Sequence, residues 1–409
     1  MSKLTLICGD ALTELRRLPA NSVQCCVTSP PYYGLRDYGI DGQLGLEPTL
    51  DGFLERLAAV FDEVRRVLHP SGVCFVNCGD SYAGGGNYRG ANEATLSDKQ
   101  RSNRGAHGEL AVGRTGVLPP TLSVIRDGTL KAKDRCLVPF RLALLLQSHG
   151  WWVRDVIAWT KPAPMPESVT DRCTQSWEPI LMLTKSATYY WDALAVAEPL
   201  TRPDEAYRKT PAVFGGADKW HEAQKQSRLH SGNEYNGTPT GTRNLRNVWP
   251  IGPEPYTDTV LDASGKPVSH FAAFPSELPK RCILAATSAK GNCGRCGEPW
   301  VRRVEKTMPP LRQVNGTGPH GEHGLLGGAR FDDPILTRTV GWNAQCTCAD
   351  ALDCRIVPAT VLDPFCGTGT TCAVALDLGR AAIGIELNPA YVTLAQRRCG
   401  TVTPGLALA

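Results

Sequence analysis

The sequence lacks a hydrophobic run long enough to span a bilayer, and it shows no secretory signal pattern. It also lacks a strong excess of charge, because 44 Lys and Arg residues face 40 Asp and Glu residues, for a formal net charge of +4. We therefore expect a cytoplasmic protein with no membrane partner, in which any basic surface is local. Because no secretory signal accompanies the 16 cysteines, reduced thiols or a metal site are expected rather than a disulfide framework.

A glycine-rich motif near the C-terminus is typical of a nucleotide-cofactor loop. It runs from Asp363 to Thr370 (Asp-Pro-Phe-Cys-Gly-Thr-Gly-Thr), between two apolar runs that end in Asp363 and Glu386. Such a strand–turn–helix–strand unit holds nucleosides at the carboxyl ends of parallel strands, and glycine permits close backbone approach. The third spaced glycine of dinucleotide-binding loops is missing, so no pyrophosphate is required, and Glu386 is placed to bind ribose hydroxyls. The alternative is an ordinary glycine-rich turn of an α/β protein.

A second motif, Ser-Pro-Pro-Tyr at residues 29–32, follows an apolar run near the N-terminus. The exocyclic amine of a cytosine or adenine base is a poor nucleophile because it is conjugated with the ring. Acceptor oxygens on the Ser29 side chain and the Pro30 carbonyl could bind its two N–H groups and draw the nitrogen lone pair out of conjugation. Tyr32 would offer a stacking face to a flipped base. The alternative is a proline-rich turn after a strand, stiffened by Pro31.

The first motif precedes the glycine-rich loop in the chain, and in this order the pair resembles the beta class of site-specific DNA amino-methyltransferases. The resemblance covers most of the chain. It implies an α/β protein with the circularly permuted S-adenosylmethionine-dependent methyltransferase fold, in which a seven-stranded, mostly parallel sheet carries inserted DNA-recognition segments and a zinc knuckle. The strands are expected at residues 3–8, 23–28, 73–77, 153–160, 179–184, 359–363 and 381–386.

The resemblance also implies an activity, partners and site residues. Such an enzyme transfers a methyl group from S-adenosylmethionine directly to the exocyclic amine of a flipped base in double-stranded DNA. Nucleoid association, a homodimer and a restriction endonuclease partner are compatible with it. The catalytic residues would be Ser29, Pro30, Pro31 and Tyr32. The cofactor-binding residues would be Asp10, Phe274, Pro275, Asp363, Phe365, Gly367, Gly369, Thr370, Glu386 and Asn388.

The serine of the first motif bears on which base is methylated. In relatives, serine at this position is commoner in enzymes that act on cytosine N4, whereas aspartate is commoner in adenine N6 enzymes. We therefore favour cytosine N4, and adenine N6 stays open because a hydroxyl oxygen can accept from either amine. More distant alternatives are an RNA or protein amide methyltransferase, which usually has the glycine-rich loop first, and a non-catalytic, zinc-containing DNA-binding protein.

Four cysteines before the glycine-rich loop predict a structural zinc site. Cys293-Gly-Arg-Cys296 has the spacing of a knuckle in which backbone N–H groups support a pair of zinc-bound thiolates. Cys346 and Cys348 would complete the set, with Cys354 as a possible substitute ligand. The alternatives are reduced free thiols and a redox pair. A catalytic zinc is not expected, because no His or Glu completes an open site.

Inserted segments interrupt the core pattern. Residues 84–133 carry eight Lys or Arg against four Asp or Glu and are expected to form a basic, DNA-facing loop, with a solvated linker as the alternative. The predicted organisation is the catalytic half of the core (1–83), this insert (84–133), further core (134–199), a target-recognition segment (200–250), a cofactor-closing helix region (251–292), the cysteine knuckle arm (293–354) and the S-adenosylmethionine-binding core (355–400).

Overall fold

The computed structural model describes residues 3–36, 38, 40–84, 128–164, 166–167, 169–199, 242–255, 258–261, 267–269, 274–307, 312–313, 329–330, 336–348 and 355–400. The helices among them are α1 (Ala11–Arg17), α2 (Leu50–Val67), α3 (Val138–Ser148), α4 (Glu277–Ala286), α5 (Thr370–Asp377) and α6 (Pro389–Gly400). The strands are β1 (Leu4–Cys8), β2 (Val23–Thr28), β3 (Leu68–Asn77), β4 (Trp152–Thr160), β5 (Trp177–Thr184), β6 (Glu198–Pro199), β7 (Thr242–Arg243), β8 (Val248–Pro250), β9 (Thr259–Leu261), β10 (Pro267–Ser269), β11 (Asn292–Cys293), β12 (Trp300–Thr307), β13 (Arg312–Gln313), β14 (Ala329–Arg330), β15 (Leu336–Ala344), β16 (Ile356–Val357), β17 (Thr360–Asp363) and β18 (Ala381–Glu386).

The chain forms two compact units, and the first contains an eight-stranded sheet. This unit comprises Met1–Asp192, Arg246–Val301 and Ala344–Ala409, and its strand order is β1-β18-β17-β2-β3-β5-β4-β8. The first five strands in this order, from β1 to β3, pair in parallel with their neighbours. Strand β5 pairs antiparallel with both β3 and β4, and β4 pairs in parallel with β8. All seven expected strands are therefore present in a mostly parallel sheet, and the short strand β8 extends it by one.

The central strands are buried on both faces, which explains why they are continuous apolar runs rather than alternating ones. Every residue of β2 is buried. Adjacent side chains of a strand point to opposite faces, so Cys26 joins the core that packs under α1, α2 and α3, whereas Cys25 lies on the other face, near Cys282 of α4. These cysteines act as small buried residues.

The boundary between α2 and β3 differs from the prediction. The strand was expected over residues 73–77, but β3 already begins at Leu68. Helix α2 before it begins after the Thr49 cap, whose hydroxyl accepts the Gly52 N–H at 3.1 Å. It ends at Val67, and β3 begins at once because Leu68 pairs with Val23 on β2. A register shift between Val23 and Cys25 then absorbs the extra residues of β3.

The second unit comprises Ala193–Leu245 and Arg302–Asn343. Its described parts are two-stranded ribbons, in which β6 pairs with β7, β13 with β14, and β12 with β15. Most of the expected basic loop (residues 85–127) and most of the expected target-recognition segment (residues 200–241) lie outside the described residues.

Two further observations concern the described residues alone. None of their helices combines the length and the apolar character that crossing a membrane would require. Fifteen cysteines fall within these ranges, and all of them are free thiols.

Candidate active site

The two sequence motifs meet at one edge of the sheet. Strand β17 pairs in parallel with β2, with Val361 opposite Cys25. Because parallel strands end at the same edge, the loop that starts with Ser29 lies beside the loop that starts with Asp363. Two motifs that lie far apart in the chain therefore share one site.

A cavity opens at this edge and encloses about 1170 Å³ of space when the part open to solvent is included. All but two of the residues predicted for catalysis and cofactor binding line it, and the exceptions are Pro275 and Gly369. The lining includes Asp10, Ser29, Pro30, Pro31, Tyr32, Phe274, Asp363, Phe365, Gly367, Thr370, Glu386 and Asn388.

Two carboxylates organise the cofactor side of the cavity, of which Asp363 is buried and Glu386 is half-buried. Glu386 accepts the Gly367 N–H on one oxygen and the Asn388 N–H on the other, each at 2.9 Å. Burial raises the pKa of Glu386 to about 7 and the pKa of Asp363 to about 6. Glu386 therefore shapes the glycine-rich loop, and each of its oxygens retains a second lone pair that a ligand hydroxyl could use.

The glycines of the loop serve different purposes. Gly367 has φ of 50° and lines the cavity. Gly369 has φ of 78° and precedes α5, and a Cβ there would lie 2.9 Å from the Cβ of Ala395 on α6. Glycine at position 369 is thus required by the close approach of α6 rather than by contact with the cavity.

The Ser-Pro-Pro-Tyr loop is hydrogen-bonded to Glu178 on β5. Ser29 Oγ donates to Tyr32 Oη at 3.4 Å, and Tyr32 Oη donates to Glu178 Oε2 on β5 at 2.9 Å. The tyrosine ring lies against Gly79, where a Cβ would be 2.2 Å from Tyr32 Cε2. Burial, and secondly the charge of Glu178, raise the pKa of Tyr32 well above its usual value. The ring is therefore fixed as a neutral phenol.

Glu178 is fixed in its turn by two neighbours. Asn77 Nδ2 donates to its Oε2 at 3.3 Å, and the Lys161 ammonium forms an ion pair with Oε1. Asn77 ends β3 and Lys161 follows β4. Together with the loop that carries Tyr32, three segments of the chain contact the Glu178 carboxylate.

Several cavity residues were not predicted as site residues. Arg36, Tyr38 and Tyr391 line it, and the rings of Tyr38 and Tyr391 meet edge to face with centroids 6.4 Å apart. Arg36 and Tyr38 could have been found, because they continue the Ser-Pro-Pro-Tyr motif in the sequence. Glu178 had no signal, since a glutamate at the start of an apolar strand is ordinary.

Two predicted cofactor residues also begin helices. Asp10 Oδ1 accepts the Thr13 N–H at 2.9 Å and so caps α1. Asn388 Oδ1 accepts the Ala390 N–H at 2.9 Å at the start of α6.

Helix α4 begins without a side-chain cap. Ser276 occupies the cap position but makes no side-chain cap hydrogen bond. Its N–H and hydroxyl donate instead to Glu254 Oε2, at 2.7 and 2.6 Å.

The four predicted zinc ligands are close together. One Sγ atom from each of Cys293, Cys296, Cys346 and Cys348 lies within 4.8 Å of the others. A turn closes the segment between the first two cysteines, because the Gly297 N–H donates to the Cys293 carbonyl at 2.9 Å. Cys354, the possible substitute, lies outside the described residues.

The knuckle is also attached to the sheet. The Nε2 atom of His69 on β3 lies 3.1 Å from the carbonyl oxygen of Cys296. Strand β11, which contains Cys293, pairs with β16 just before the cofactor-binding core. The four thiols therefore form a site compatible with one tetrahedral metal ion.

Comparison with known proteins gives consistent matches. A family model described as DNA methylase matches residues 23–293 and 357–397. The chain is 35% identical to the type II methyltransferase M.Cfr9I of Citrobacter freundii over 395 residues, which cover 96% of this chain and 87% of that protein. It is 32% identical to the type II methyltransferase M.SmaI of Serratia marcescens over 393 residues, covering 96% and 89%. The family model skips residues 294–356, which contain three of the four clustered cysteines.

Among solved structures, the chain resembles a PvuII DNA methyltransferase described as cytosine-N4-specific. The TM-score is 0.48 and the identity is 14%, with 97% of this chain and 86% of that chain covered.

Proposed function

This chain belongs to the DNA methylase family, as an amino-methyltransferase of the beta class, and we propose that it methylates cytosine N4 in double-stranded DNA with S-adenosylmethionine as methyl donor. The observation that carries the proposal is the shared cavity. It joins the proposed amine clamp at Ser29 to a glycine-rich loop between two carboxylates whose pKa values are raised by burial.

The cavity suits the proposed methyl donor. Phe274 and Phe365 supply aromatic surface, and Glu386 supplies a carboxylate at the end of β18, where ribose hydroxyls are commonly bound. The exposed backbone of Gly367 permits close contact. When bound, S-adenosylmethionine would supply an electrophilic methyl group on a sulfonium centre.

The residues of the first motif would prepare the base. The Ser29 oxygen and the Pro30 carbonyl would accept the two amine N–H groups, which draws the nitrogen lone pair out of the ring and aims it at the methyl group. Oriented acceptors of this kind act most strongly where water is excluded. Tyr32, fixed against Gly79 and Glu178, would present a rigid face to the flipped base.

Cytosine N4 is favoured because the first clamp residue is Ser29 rather than an aspartate. Adenine N6 is the alternative, since the serine oxygen could accept from that amine too. Methylation of plasmid DNA by the purified protein, followed by mass spectrometry of its nucleosides, tests which base is methylated. N4-methylcytosine supports the proposal, whereas N6-methyladenine alone would favour the alternative. Modification-aware sequencing of the same DNA would give the recognition sequence, against which a restriction endonuclease partner can be sought.

We also propose a structural zinc ion at the four clustered thiols. The arm between the cysteine pairs includes β12 and β15, whose described residues 301–306 and 337–344 are exposed or half-buried throughout. A two-stranded ribbon without a buried face is marginally stable by itself, so zinc bound to the cysteines that precede and follow it in the chain would supply folding free energy. The ribbon carries four cations, Arg302, Arg303, Lys306 and Arg338, against Glu305, and this excess suits contact with DNA phosphates.

A further inference from the structure

A chain of hydrogen bonds leads from the amine clamp to a half-buried carboxylate. Ser29 Oγ donates to Tyr32 Oη at 3.4 Å, and Tyr32 Oη donates to Glu178 Oε2 at 2.9 Å. The tyrosine hydroxyl also lies 3.4 Å from Asn77 Oδ1, but the glutamate contact is shorter. Each hydroxyl in the chain can accept one proton while it gives up another. The lone pairs of Ser29 that do not face Tyr32 remain available to an amine N–H.

The surroundings keep this chain in one arrangement. The side chain of Glu178 is 17% exposed, and it is oriented by Asn77 and Lys161. The Tyr32 ring cannot shift towards β3 because it already touches Gly79. Since burial raises the pKa of Tyr32 well above its usual value, the hydroxyl keeps its proton and can both donate and accept.

Methylation of an amine creates a proton that must leave. The nitrogen forms a bond to the methyl carbon, the carbon–sulfur bond breaks with its electron pair on sulfur, and the nitrogen becomes positively charged. An N–H proton must then be lost to restore a neutral amine. A serine hydroxyl alone cannot hold it, because a protonated alcohol is a very strong acid.

We infer that Glu178 is the final proton acceptor, reached through Ser29 and Tyr32. The amine N–H proton passes to Ser29 Oγ, the Ser29 proton passes to Tyr32 Oη, and the Tyr32 proton passes to Glu178 Oε2. The amine and both hydroxyls end neutral, and the carboxylate ends as a carboxylic acid. The 3.4 Å step is long, as catalytic hydrogen bonds often are before the substrate binds. This inference rests on the proposed methyl transfer.

The competing role for Glu178 is purely structural: it would orient Tyr32 and accept no proton. The two roles differ in their dependence on pH. The groups that face Glu178 are Tyr32 from the loop, Asn77 and Cys78 from the end of β3, and Lys161 after β4. Burial raises the pKa of the Cys78 thiol above its usual value, so Cys78 stays neutral alongside Tyr32.

Three variants of the full-length protein test the relay: Glu178→Gln, Tyr32→Phe and the double variant. Each keeps the shape of the side chain and removes the proton path. Single-turnover methyl transfer at saturating cofactor and DNA should slow by about 10²-fold in each single variant, the lower end of the usual contribution of a general base. The double variant should be no slower than the slower single variant, because both break one path.

The matched control is Glu63→Gln. Glu63 is another partly buried glutamate, 21% exposed and paired with Arg66 at 2.6 Å on α2, away from the cavity. It should methylate at the wild-type rate. Calorimetric affinity for the cofactor should match the wild type in all variants. Glu178→Gln removes the ion pair with Lys161, so its melting temperature should fall, but every variant should remain folded at the assay temperature, which separates the relay from folding.

The pH profile decides between the two roles. The wild-type single-turnover rate should fall at acid pH, because the relay needs an acceptor that does not already hold a proton, and this acid limb should disappear in Glu178→Gln. A Glu178→Gln rate within a factor of two of the wild type would overturn the relay. So would a slow variant that keeps the acid limb, because that pattern is expected of an orienting residue. If the wild type itself transfers no methyl group to DNA, the proposed function fails rather than the relay.

Discussion

Thr28 Oγ1 donates a hydrogen bond to Asp363 Oδ1 at 2.7 Å, although the two residues are 335 positions apart in the chain. Thr28 ends β2 directly before the amine clamp, and Asp363 ends β17 directly before the glycine-rich loop. The same Asp363 oxygen also accepts the Phe365 N–H at 3.1 Å. One buried contact therefore sets the spacing between the clamp and the loop.

Loss of the clamp hydroxyl should affect chemistry more than binding. We expect Ser29→Ala to lower the methylation rate by about 10²-fold or more, the scale for one oriented group at a transition state. Cofactor affinity should be almost unchanged, because Ser29 is not among the predicted cofactor contacts. Ser22→Ala is the control, since its hydroxyl donates to the Pro19 carbonyl before β2. Near wild-type turnover in Ser29→Ala would remove Ser29 from the catalytic assignment.

Removal of the Glu386 carboxylate should weaken cofactor binding. We expect Glu386→Ala to cost roughly 1.5–3 kcal/mol of binding free energy, as for lost charge-assisted hydrogen bonds. Calorimetry gives the affinity, with Asp377→Ala at the exposed end of α5 as the control. The melting temperature must be measured too, because Glu386 also accepts the Gly367 and Asn388 N–H groups. Unchanged affinity would show that Glu386 does not bind the cofactor.

Asp363 should make the protein less stable as pH rises. Its pKa is raised by burial from 3.8 to about 6, so the folded state binds a proton more tightly than the unfolded state does. Its contribution to stability is complete below the unfolded pKa and is lost as pH rises through about 6. The contribution lost is on the order of 3 kcal/mol.

Urea unfolding of the wild type and Asp363→Asn across pH 4 to 8, an interval spanning roughly the unfolded and folded pKa values, measures this effect. Asparagine keeps an acceptor for Thr28 and carries no charge. The variant should therefore gain stability relative to the wild type as pH rises. Parallel stability profiles would contradict the raised pKa of Asp363.

The cysteine cluster should hold one zinc ion per chain. Elemental analysis of protein prepared without chelators is the direct measurement, and Cys173→Ser is the control because Cys173 is exposed and is not a member of the cluster. Chelation should loosen residues 293–348 before the core melts, since metal affinity supplies the folding free energy of the arm. DNA binding should suffer more than cofactor binding. A metal content near zero, with four freely titratable thiols, would leave these as ordinary cysteines.

Single substitutions would identify the ligands. Cys293→Ser and Cys296→Ser should both abolish metal binding. If Cys346→Ser retains the metal, Cys354 becomes the better candidate for the remaining position.

Much of the fold follows from local sequence, because a strand buried on both faces must be apolar whichever strands lie beside it. The run 381–386 and the run 23–28 were recognisable as strands for this reason. The residues of the two motifs were recognisable because each motif places its chemically active groups within a few consecutive residues. The glycines, the prolines and the acid at each strand end are all local features.

Other features were decided only by tertiary structure, because they depend on contacts between residues far apart in the chain. Strand β8 joins the sheet only because β4 presents a free edge to it, and its three residues carry no strand pattern. Gly369 is required by α6 rather than by a ligand, and Ser276 binds Glu254 rather than its own helix. Glu178 reaches Tyr32 only because β5 pairs antiparallel with β3, which places the start of β5 beside Asn77 at the end of β3. The sequence alone determined which residues could form the site, and sheet pairing decided which carboxylate stands behind it.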